Sequence, residues 1–196
     1  RNRLRLEDAR APIDEIAWTG VDTFVYGCGV GSTMFHNTRV GEIWGQRLEK
    51  FAHMHEWRAS ENIASLIERD LDPLAVLVER AHDKGLEFFV SLRLTHGADP
   101  ESVHIPDTPQ FKIDHPEWCL RGDDSDPQRR NHFNWVHPEV RAERFDLIEE
   151  AVTRYEVDGF ELDCTFSPYF FEADEVERNT PILTEFVHQV RRLVDQ

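Results

Sequence analysis

Cysteine and methionine are scarce, three and two residues in a chain of 196. The cysteines are odd in number and widely spaced, which excludes a disulfide framework and zinc-finger spacing and leaves a reducing compartment or free buried thiols as the expectation. Basic residues are also few, 22 against 38 acidic ones, for a net charge of −16. Such a surface repels nucleic acid and anionic membranes, so neither is expected as a partner. No apolar run reaches the roughly 18 residues of a membrane span, and no charged, then apolar, leader opens the chain. The sequence assigns no compartment. It also lacks internal repeats and low-complexity tracts. What is present, 40% hydrophobic and 31% charged residues, suits one ordinary core and a single domain over residues 1–196.

Three short runs rich in aromatic and β-branched residues read as strands: Val21 to Gly27, Leu86 to Leu94 and Val157 to Asp163. A helical pattern precedes each. Asp72 and Pro73 open a helix with Leu74, Leu77, Val78 and Ala81 on one face and Gly85 as its stop. Pro138 opens another, facing inward through Phe145, Ile148, Val152 and Tyr155. Pro181 opens a last one, with Leu183, Phe186, Val187 and Val190. A shorter helix near Pro12 carries Ile13, Ile16 and Ala17. Strands alternating with amphipathic helices predict an α/β fold of parallel (β/α) units, as in a TIM-type barrel. A full barrel takes about 250 residues. Three strands in a chain opening on Arg1 rather than Met therefore predict a partial or truncated barrel, with the missing segment outside this chain or supplied by a homo-oligomer.

Links from helix to strand are short, whereas long loops follow the strands at about 28–72, 95–137 and 164–180. A helix of its own, Glu61 to Glu68, is expected in the first loop. Structureless loops of this length are uncommon unless they serve function, and in parallel α/β folds the loops after the strands build the site.

The final strand concentrates the chemistry. Alternation puts Gly159, Glu161 and Asp163 on one face and Asp158, Phe160 and Leu162 on the other. Glu161 and Asp163 then point into a barrel interior, about 7 Å apart along the strand. Two like charges so placed need a proton or a cation, the arrangement acid/base chemistry uses. Arg93, at the carboxyl end of its strand and level with Asp163 if the two strands are neighbours, is the candidate cation. A structural ion pair filling the interior is the other reading of the same residues.

The run from His137 to Asp163 (HPEVRAERFDLIEEAVTRYEVDGFELD), followed by Ser167-Pro168-Tyr169-Phe170-Phe171, resembles bacterial glycosyl-hydrolase-like (β/α)8-barrel families. They share its histidine-proline-glutamate helix start and its aspartate-glycine strand ending in aspartate, and are distantly similar to α-amylase-clan and chitinase-like barrels. The resemblance implies a TIM barrel, an oligosaccharide or polysaccharide substrate, and Asp163 as the catalytic carboxylate. Two positions depart from those patterns. Glu161 stands where the α-amylase clan has arginine, and Thr165 where chitinase-like barrels have their acid. The second carboxylate would then come from a loop, with Glu172, Asp174 and Asp123 as candidates, or from sequence beyond Gln196.

Trp118, Trp135, Tyr169 and Phe170 offer flat faces for pyranose rings, and His36, His96 and Asn134 offer hydrogen bonds to hydroxyls. No metal or cofactor is expected. His53 and His55 lie two apart in a helical pattern and should diverge, and His104, His115, His132 and His137 lack ligand spacing. The Gly27-Cys28-Gly29-Val30-Gly31 segment lacks the full phosphate-binding pattern and reads as a turn at the barrel rim. The sequence thus predicts a carbohydrate-active glycoside hydrolase. A non-catalytic carbohydrate-binding barrel and a metal-dependent hydrolase of another substrate are the alternatives.

Overall fold

Period-two burial along one central strand organises the sheet. The computed structural model describes residues 4–165 and 167–195. In chain order the elements are α1 (Leu6–Ile16), β1 (Thr23–Val30), β2 (Thr33–Met34), β3 (Glu42–Ile43), α2 (Met54–Ile67), α3 (Pro73–Asp83), β4 (Glu87–Arg93), α4 (Gln110–Asp114), α5 (Pro138–Arg154), β5 (Gly159–Asp163) and α6 (Val176–Val194). They form a five-stranded sheet in the order β3-β2-β1-β4-β5. β1, β4 and β5 run parallel, with α3 and α5 as the crossovers, and only β2 pairs antiparallel, along the end of β1. The fold is therefore α/β with a mostly parallel sheet. Among the described residues, no helix is long and apolar enough to cross a membrane.

In β4, Phe88, Val90 and Leu92 are fully buried in one core with Leu74, Leu77, Val78 and Ala81 of α3 and Leu147, Ile148 and Ala151 of α5. The intervening Phe89, Ser91 and Arg93 must then face the other way. Strand pairing aligns Val25, Phe89 and Gly159 in one row, Gly27, Ser91 and Glu161 in the next, and Arg93 with Asp163 at the tip. This second face is open: Val25 is 45% exposed, and Gly27 and Glu161 are exposed too.

Local chemistry accounts for the element ends. The Asp72 side chain accepts from the Leu74 amide at the start of α3, and Gly85 follows it at φ +75°. Asp158, just before β5, accepts from the Phe88 amide at 2.7 Å and lies 2.9 Å from His82 Nε2, joining the start of β5 to β4 and to the end of α3. Arg144 is buried. Its Nε donates to the Leu94 carbonyl and its guanidinium reaches Ser32 and Glu143, so α5 grips the end of β4 and the β1–β2 turn together.

Several expectations need correction. The segment around Gly27 and Gly29 lies within β1 rather than in a turn, and the turn comes at Gly31 and Ser32. Gly29 is required there because β2 comes too close: a Cβ would stand 2.4 Å from the Thr33 carbonyl. Pro12 and Pro181 sit inside helices, at the seventh residue of α1 and the sixth of α6, rather than opening them. The α1 start is instead set by Asp8 accepting from the Arg5 amide, which needs no proline. In the first long loop, α2 begins at Met54, ahead of Glu61, and two short strands precede it. The inward face of α5 centres on Val140, Leu147, Ile148 and Ala151, with Phe145 only partly buried. Val187 of α6 is exposed.

One strand supplies its own control. Gly29→Ala should lower stability by about 1–3 kcal/mol through overpacking. Gly27→Ala, which meets nothing within 4 Å, should be neutral or slightly stabilising. Urea unfolding of the two variants checks this, and equal effects would contradict the packing at Gly29.

Candidate active site

The carboxyl ends of β4 and β5 bring Arg93 and Asp163 together because their register makes them direct neighbours. Arg93 Nε lies 3.7 Å from Asp163 Oδ2, and both side chains are roughly three-quarters covered. Asp163 Oδ1 accepts from both the amide and the hydroxyl of Thr165, each at 3.0 Å. The two carboxylate oxygens are thereby separated in role, one held by its own turn and one directed to the guanidinium. One row down, Ser91 Oγ donates to Glu161 Oε1 at 2.7 Å. Below that, the Phe89 ring lies over Gly159, where any Cβ would meet it at 2.4 Å.

The loops after β4 and β5 are tied to each other. The Thr95 hydroxyl donates to the Ser167 carbonyl, joining the two. Lys112 of α4 is buried, and its Nζ donates to the carbonyls of His96 at 2.5 Å, Asn131 at 2.7 Å and Ala98 at 3.2 Å, with the Phe133 ring 4.9 Å away. Burial pushes its pKa down to about 8. Burial also pushes His96 down to about 4, with the Lys112 ammonium adding to the shift. His132 is lowered for the same first reason. Tyr169 sets its ring edge-on to His132 at 5.1 Å and beneath Arg129 at 5.0 Å, and its hydroxyl reaches Gln128.

The other sequence-predicted residues have partners of their own. Trp118 stacks on His115 at 3.7 Å and touches Phe111 and His137, anchoring the long loop after β4. Asn134 Oδ1 accepts from the Val136 amide. Trp135 is fully buried between Phe170 and Phe186, tying that loop to α6. His36 is buried against Tyr155, whose hydroxyl donates to Asp72. Of the loop carboxylates, Asp123 accepts within its own turn from Ser125 and Asp126, and Glu172 accepts from the Arg121 amide. His53 and His55 stack at 5.4 Å rather than diverging, because His53 caps α2 with extended backbone instead of lying inside it. Among the described residues, no three His, Cys, Asp or Glu side chains gather as a metal site would need. Sequence reasoning did not single out Lys112, Arg144 or Ser91 for a role; only Ser91 carried a signal, since it shares a strand face with Arg93.

The histidines make stability depend on pH. His96, His132 and His36 are all held below the ordinary histidine range, chiefly by burial. As pH falls, the unfolded chain therefore takes up protons before the folded one. The stability these neutral rings confer is full above about 6.5 and is lost as pH falls below it, for His96 down through about 4. The His96 share is about 3 kcal/mol. Urea midpoints should fall from about pH 7 to pH 4, and His96→Asn should flatten that fall. Parallel profiles for the two proteins would contradict it.

A family model described as Glycosyl hydrolase-like 10 matches residues 42–180. A curated relative, glycosyl hydrolase YngK of Bacillus subtilis (strain 168), is 30% identical over 107 residues, which cover 53% of this chain and 20% of that protein. Among solved structures, the noncanonic maltogenic α-amylase AmyB of Thermotoga neapolitana superposes at TM-score 0.52 with 16% identity, over 97% of this chain and 38% of its own. The α-L-fucosidase isoenzyme 2 of Paenibacillus thiaminolyticus does so at 0.51 with 14% identity, over 97% of this chain and 26% of its own. This chain therefore spans about a fifth of the curated relative and between a quarter and two-fifths of those structures. At these identities the structures bear on fold alone, and with the strand order above they make the parallel strands part of a TIM-type barrel. With the family model matching well over half of its length, the chain belongs to the glycosyl hydrolase-like 10 family.

Proposed function

We propose that the chain carries part of the catalytic face of a glycoside hydrolase, with Asp163 as its acting carboxylate. One observation carries the reading: Asp163 and Arg93 face each other at the carboxyl tips of adjacent parallel strands, on the open side of the sheet. In barrels of this kind the chemistry is done at that end. A carboxylate with one oxygen fixed by Thr165 and the other beside a guanidinium is oriented, and its charge is balanced. It can stabilise or attack an oxocarbenium-like centre arriving from the open face. Arg93 tunes it, and Glu161, held by Ser91, positions it from one row below.

The substrate class proposed is an oligosaccharide or polysaccharide, supported by the family and by the curated relative's description as a glycosyl hydrolase. His96 and Tyr169, beside the same strand ends, are the proposed sugar contacts. Trp118, Asn134, Trp135 and His36 act in support, holding the loops and the helix layer.

Thr165, in the position where chitinase-like barrels have their acid, favours a second reading, a barrel that binds glycans without cleaving them. Assays on a panel of nitrophenyl glycosides and oligosaccharides separate the two. On any substrate the protein cleaves, Asp163→Asn should lower turnover by about 10³-fold or more, with an unchanged circular dichroism spectrum. Undiminished turnover would overturn the role of Asp163. Glycan binding with no hydrolysis would favour the second reading.

A further inference from the structure

Beside the strand ends, two imidazole nitrogens are buried with no hydrogen-bond partner among the described residues. His132 is 4% exposed, and its Nδ1 lies 3.1 Å from the Arg129 carbonyl oxygen. A carbonyl only accepts, so Nδ1 carries the proton, and Nε2 of the neutral ring is left as an acceptor. That Nε2 is buried without a hydrogen bond, and so is Nδ1 of His96. An acceptor withdrawn from water with no donor is costly, and most such groups in folded proteins are matched.

The His132 ring sits beside the backbone that follows His96. The His132 ring rests against Gly97, next in sequence to His96, so closely that a Cβ there would stand 2.4 Å from its Cε1. Lys112 fixes the backbone of both, donating to the carbonyl of His96 and to that of Asn131, the residue before His132. The Tyr169 ring closes another side. Lys112 and Arg93 act on His96 as cations and Asp107 as an anion, and among the described residues no third His, Cys, Asp or Glu joins the two imidazoles as a metal ligand.

We propose that His132 and His96 form a recognition subsite for a hydroxyl of a polyhydroxylated ligand, with Nε2 of His132 accepting from the ligand O–H. This rests on the carbohydrate reading above and names the groups that recognise the sugar. Lys112 is a positioning residue for the pair.

The test is a long-range proton–nitrogen correlation spectrum of the protein labelled with ¹⁵N-histidine, titrated in turn with glucose, maltose, L-fucose and N-acetylglucosamine. Binding should move the His132 Nε2 signal upfield, as hydrogen bonding does to an unprotonated ring nitrogen. His132→Asn, whose amide can still reach the Arg129 carbonyl but lacks the Nε2 acceptor, should weaken binding about tenfold. Should that variant not fold, the wild-type titration decides alone. A sugar that binds without moving the His132 signal overturns the subsite and leaves the carbohydrate reading standing. Failure of all four sugars to bind overturns the subsite along with the carbohydrate reading on which it rests.

Discussion

The alternation of β4 is the constraint from which the rest follows. Burying Phe88, Val90 and Leu92 under α3 and α5 gains roughly 1.5–3 kcal/mol for each side chain, and the strand's period of two then leaves Phe89, Ser91 and Arg93 no other side to occupy. A slip of one residue would put the guanidinium into the core and the aromatic ring of Phe88 into solvent. The hydrophobic pattern that stabilises the sheet is therefore also what aims the polar row. β5 inherits its geometry by pairing with β4, which is why Asp163 reaches Arg93 without any long-range loop holding it there.

Above the strands, order comes from two buried cations with unusual company. Among the described residues Lys112 forms no salt bridge; its three donors go to three backbone carbonyls, two from the His96–Ala98 stretch and one from Asn131. Arg144 likewise spends a donor on the Leu94 carbonyl at the end of β4. A buried ammonium or guanidinium is tolerated only when its donors are used, so each cation demands that the loops stay where their carbonyls satisfy it. Long irregular segments thus acquire the fixed geometry that regular hydrogen-bond ladders give to strands. The aromatic packing of Trp118 and Trp135 at the base of the same loop complements this from the apolar side.

Those two sources of order explain which features could be read from sequence. The runs LEFFVSLRL and VDGFELD display their period directly, so the strands, their inward faces and the alignment of Arg93 with Asp163 were accessible from residue order. The helix opened by Asp72 and Pro73 was equally plain because its cap is local. β2 and β3 are too short, at two residues each, to carry any period. Pro181 misled because a proline is commonest at the first helical position, whereas this helix begins five residues earlier, at Val176. The stacking of His53 on His55 depends on the backbone angle at a cap, and the burial of Lys112 on where carbonyls of two separate loop stretches meet, so neither leaves a trace in local spacing.

The glycine at the start of β5 has a consequence of another kind. With no side chain at position 159, the Phe89 ring folds across the strand and fills the space beneath Glu161. The polar row thereby has an aromatic ring at its lower edge. The ring lies one row below the Ser91–Glu161 hydrogen bond, so the charged groups of this face are gathered toward the loop end of the sheet, and a larger residue at 159 would have to displace that ring from beneath them.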